Sequence, residues 1–70
     1  MARKSELPAD VEPEQVWRDS GGQHWQVESV TNGVAALHRC TPAGRVLNQR
    51  YRESMSVDRM QGGWELVSGR

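Results

Sequence analysis

Between Glu28 and Glu53 the chain has no acidic residue, yet it carries His38, Arg39, Arg45, Arg50, Tyr51 and Arg52. Guanidinium groups at that density suit anion recognition. Each offers a planar fork of donors to phosphate or carboxylate oxygens, and a nearby ring can stack on a base. Arg50 and Arg52 are two apart, so on a strand they would share a face. The same run also suits a simpler purpose, because charges along an exposed hairpin keep a β edge from pairing with another chain. Eight of the nine basic residues are arginine, a bias that GC-rich coding produces as readily as selection for bidentate recognition.

His38 and Cys40 would also project together from a strand, and His24 would approach from a neighbouring one to make three nitrogen or sulfur donors. Structural zinc takes four ligands, usually from closely spaced Cys or His pairs, and the sequence has no such pair. Cys40 therefore reads as a small buried hydrophobe. Nothing in the sequence orients a Cys–His nucleophile or builds an oxyanion hole, and Gly21-Gly22 and Gly62-Gly63 lack the spacing of phosphate-cradling loops. The expectation is a binding protein without catalysis, metal or cofactor.

Trp17, Trp25 and Trp64 are the large aromatics of a chain that has neither Phe nor Ile. Trp25 and Trp64 alternate in phase with Val27 and Leu66, which assigns them to the core. Trp17 stands beside Arg18 next to a turn and is expected to be partly exposed, adding a stacking ring to the arginine surface.

These side chains need a scaffold, and the turn signals define it. Asp19-Ser20-Gly21-Gly22, Thr31-Asn32-Gly33, Thr41-Pro42-Ala43-Gly44 and Gln61-Gly62-Gly63 separate short apolar runs, an all-β signature. Strands are expected over 15–18, 23–30, 34–40, 45–52 and 64–67. Asn32-Gly33 supplies the two positive-φ residues of a tight hairpin turn. Ser56 precedes Val57 and Met60 at a spacing that suits one 3₁₀ turn before the last strand.

Five short antiparallel strands with a 3₁₀ turn before the fifth resemble an SH3-like β-barrel over residues 15–67. The resemblance is one of architecture, and it implies a single small domain that works by binding. The run Trp-Arg-Asp-Ser-Gly-Gly-Gln-His-Trp-Gln-Val, a hairpin and a closing Gly-Trp-Glu-Leu-Val are also similar to short accessory proteins of phages, prophages and mobile elements.

Length and charge narrow the partners. Seventy residues make one domain with a small core, too small for a deep substrate cleft. One cysteine permits no internal disulfide, and no apolar leader or membrane span is legible, so a cytoplasmic protein is expected. Residues 1–14 hold two prolines and four acids and read as a flexible acidic tail, and residues 68–70 as a frayed end. Nine basic and nine acidic residues cancel overall, but the body from residue 15 is mildly cationic. The expected partner is nucleic acid, through an arginine-rich surface on strands three and four, or an acidic protein surface met by the same face. With 36% apolar residues in so short a chain, a second copy covering an apolar patch is a further possibility.

Overall fold

The computed structural model describes residues 10–69. Five strands, β1 (Val16–Arg18), β2 (His24–Thr31), β3 (Val34–Cys40), β4 (Glu53–Ser56) and β5 (Glu65–Ser68), form one antiparallel sheet, with a helix α1 (Val57–Gly63) between the last two. The sheet order is β4-β3-β2-β1-β5. Among the described residues no ladder joins β4 to β5, so each of them is an edge of the sheet.

The β2–β3 hairpin is the centre of the sheet and follows directly from its turn. Asn32 and Gly33 both have positive φ, at 51° and 78°, the twist that matches a tight turn to right-handed strands. From there Thr31 pairs with Val34 and the ladder runs to His24 opposite Cys40, with one irregularity between Val27 and Ser29. Glu28 is the extra residue of that bulge. It shifts the alternation by one, so Trp25 and Val27 face the core before the bulge and Val30 packs against it afterwards.

The core lies on one face of the sheet. Trp17, Val27, Ala35 and Leu37 supply it from β1, β2 and β3, Met60 seals it from α1, and Val11 packs in from the segment before β1. Ser56 caps the helix: its hydroxyl accepts the Arg59 amide at 3.2 Å, and the Val57 amide donates to the Gly33 carbonyl at 2.9 Å, docking the helix start on the hairpin turn.

Three sequence expectations change. The turn before the last strand is a seven-residue α-helix and not a 3₁₀ turn. The Gln61-Gly62-Gly63 run continues it, and the Trp64 amide still reaches the Met60 carbonyl at 2.8 Å. The fourth strand is Glu53–Ser56, not 45–52, because the chain leaves the sheet after Val46. Residues 10–14, assigned by composition to a flexible tail, are bonded to the sheet: the Glu14 amide donates to Val27 O at 2.8 Å, and the buried Gln15 side chain donates to Asp10 O at 3.0 Å. Residues 1–9, the rest of that tail, lie outside the described residues. At the other end Ser68 pairs with Val16, and Gly69 sits so close to Gln15 that a Cβ there would lie 2.6 Å from the Gln15 Cα. Among the described residues no helix is long and apolar enough to cross a membrane.

Candidate functional site

The arginine-rich run forms a shaped loop between β3 and β4. It starts as a short hairpin: Gly44, at φ 92°, closes a turn with its amide on Thr41 O, the Thr41 amide donates to Arg45 O, and Val46 bridges to Cys40. Extension stops at Asn48. Its side-chain Oδ1 accepts the Arg50 amide at 3.0 Å and its carbonyl accepts the Tyr51 amide at 3.2 Å, so a local turn replaces the strand that alternation alone predicts. The loop covers the face of the sheet opposite the core, where Gln26 Nε2 donates to Gly44 O at 3.3 Å and Gly44 lies against Val16.

His38 fastens the far half of the loop. The ring is buried, and its Nδ1 lies 3.0 Å from the Tyr51 carbonyl, which accepts a hydrogen bond from it in the Nδ1–H form. On the other side Nε2 lies 3.3 Å from Glu28 Oε1, an ion pair only when both ring nitrogens are protonated, and the same oxygen takes Arg52 Nη1 at 3.3 Å. Tyr51 is further held by its hydroxyl, which donates to Glu53 Oε2. That hydrogen bond, and then the carboxylate charge, push the Tyr51 phenol above its ordinary pKa. Glu28 and Glu53, the acids that bound the acid-free run, are thus the anchors of the loop. The sequence reading used them only as boundaries.

The expected seven-residue set does not share one surface. His38 and Arg39 are adjacent on β3 and point to opposite faces; Arg39 lies over the Trp25 ring at 5.7 Å from its centroid, on the core side of the sheet. Arg52 is exposed but paired with Glu28. Arg45 and Arg50 are exposed and have no carboxylate partner among the described residues. Arg50 and Arg52 lie in the loop, not on a strand face. Trp17, expected to be partly exposed, is 2% exposed in the core, with its Nε1 donating to Gln15 Oε1 at 2.8 Å. Its register between Trp25 and Leu66 places it at mid-sheet, which its proximity to a turn in sequence concealed.

Trp25 and Trp64 are half-buried at the margin of the core and stack on each other, centroids 6.1 Å apart. Asp19 organises the turn beneath them, accepting from Trp25 Nε1 at 3.0 Å and from the Gly21 and Gln23 amides at 2.9 Å. Burial raises the Asp19 pKa, but these donors and the Arg39 charge outweigh it and hold the carboxyl below its ordinary value. A lowered folded pKa means that stabilisation is complete above the unfolded value and disappears as pH falls through the folded one. The Trp25 indole N–H resonance should therefore titrate with a midpoint below that of an unstructured aspartate, and Asp19→Asn should abolish the transition. An unchanged transition in Asp19→Asn would assign it to another group.

Burial pushes the Cys40 thiol up, and the residue sits opposite His24 with its side chain enclosed. Among the described residues no three His, Cys, Asp or Glu side chains gather as metal ligands would. A groove between loop and sheet is lined by Glu14, Gln26, Glu28, His38 and Gln49. Its two carboxylates disfavour an anion inside. No protein family, curated protein or solved structure matches the chain.

Proposed function

We propose that this chain is a small SH3-like barrel module that binds nucleic acid through the outer surface of loop 45–52 and performs no chemistry of its own. The observation that carries the reading is the exposure of Arg45 and Arg50 with no carboxylate partner among the described residues, beside an exposed Tyr51, on a loop whose backbone is fixed by Asn48 and His38. Free guanidiniums on a fixed loop contact phosphates without first breaking an internal ion pair. The order β4-β3-β2-β1-β5 and the short helix before the last strand support the SH3-like assignment.

A second reading has its own support. Leu47 is 59% exposed and Tyr51 55%, an apolar pair flanked by arginines that would suit an acidic protein partner with a hydrophobic anchor. That form fits a phage- or element-encoded modulator of a host protein, the kind of accessory protein the sequence resembles.

Salt dependence separates the two. Each neutralised phosphate contributes a slope of about −0.7 on single strands and −0.9 on duplex in log affinity against log salt. Two unpaired arginines give a total of about −1.4 to −1.8, and Arg45→Ala or Arg50→Ala should remove about half of it. Fluorescence anisotropy with a labelled oligonucleotide at several salt concentrations measures the slope. Absence of binding at low salt would overturn the nucleic-acid reading and leave the protein partner to be sought by pull-down.

A further inference from the structure

Tyr51 is more than half exposed, and yet it is one of the most constrained residues of the loop. Its amide donates to Asn48 O, its carbonyl accepts His38 Nδ1–H, and its hydroxyl donates to Glu53. An exposed aromatic side chain ordinarily samples several rotamers, and ordering it on binding works against affinity. Here the backbone is fixed at both ends of the residue and the ring is tethered at its tip. Arg50 and Arg52 flank it in sequence, the first with no carboxylate partner among the described residues and the second held by Glu28.

We infer that loop 45–52 takes unpaired nucleobases, with one base stacked on the Tyr51 ring and the adjoining phosphates met by Arg45 and Arg50. The inference rests on the nucleic-acid reading and narrows it to single-stranded ligand. In a duplex the faces of the bases are occupied by their neighbours, so a ring standing off the surface has nothing to stack on without unstacking a step. A single strand presents those faces freely. The tryptophans do not compete for this role: Trp17 is enclosed, and Trp25 and Trp64 stack on each other, with Arg39 over Trp25.

The test uses the full chain and three fluorescent probes or competitors: a twelve-residue oligothymidylate, a duplex of the same length, and inorganic polyphosphate. Oligothymidylate should bind more tightly than either of the others at equal salt. Tyr51→Leu, which keeps bulk but has no π face, should weaken oligothymidylate binding about 5- to 100-fold. Tyr51→Phe should retain most of the affinity, and Arg50→Ala should flatten the salt slope without removing the preference for single strands. Amide dispersion in two-dimensional NMR spectra of each variant checks that the fold is kept. If oligothymidylate, duplex and polyphosphate bind alike and Tyr51→Leu changes none of them, stacking is overturned while a polyanion-binding loop stands. If none of the three binds, the nucleic-acid reading itself fails and this inference falls with it.

Discussion

Trp17→Ala is expected to remove at least about a third of the domain's folding stability at 25 °C. Truncating a fully buried aromatic removes about 3–5 kcal/mol by lost transfer free energy and the cavity left behind. A domain of this size holds roughly 3–9 kcal/mol in total, at about 0.05–0.15 kcal/mol per residue. The indole sits between Trp25 and Leu66 in the strand register and shares the core with Leu37 and Met60. Urea denaturation followed by circular dichroism and amide dispersion would report it. A variant with an unchanged midpoint would place the indole outside the core. Trp17→Phe keeps most of the bulk and should cost about 1 kcal/mol, chiefly the hydrogen bond to Gln15.

Gln15→Leu should be the most damaging polar substitution. Gln15 is 3% exposed; its Oε1 accepts both the Glu12 amide and Trp17 Nε1 at 2.8 Å, while its Nε2 donates to Asp10 O. Leucine fills the space but strands the Trp17 N–H where water does not reach, a penalty of about 1–3 kcal/mol, and removes the side-chain bonds that tie Asp10 and Glu12 to Gln15. Removing both partners should cost less than the sum of the single changes. A double mutant with Trp17→Phe is therefore expected to be less than additive in urea midpoint, because the orphaned donor is gone. Strict additivity would deny the Gln15–Trp17 bond its role.

The scaffold was legible where turn chemistry and alternation agreed. Asn32-Gly33 announces the hairpin, and β3 runs over 34–40 as the return strand of that turn. The bulge at Glu28 went unread, although Val27 and Val30, three apart, interrupt the period of two. What misled was local pattern overruled by side-chain capture of the backbone: residues 45–52 alternate like a strand, yet Asn48 turns the chain and β4 begins only at Glu53. Segment 10–14 was hidden for the opposite reason. Its composition is that of a tail, and its order comes from Gln15, a residue whose three hydrogen bonds reach partners on either side and have no signature in hydropathy. The arginine run pointed to the loop, and the period of two that groups His38 with Cys40 also sets Arg39 on the opposite face of β3, a consequence the arginine count passed over.

The bulge at Glu28 also separates two things that most small sheets are forced to vary together. Struck from the sequence, Glu28 leaves Trp25, Val27 and Val30 in strict alternation, the pattern of a regular strand. It therefore behaves as a one-residue insertion that the core ignores, while its carboxylate stands outside the ladder and holds His38 and Arg52. The fastening of the loop is thus separate from the packing of the core: a substitution at Glu28 changes what Arg52 is tied to and removes no side chain from the core.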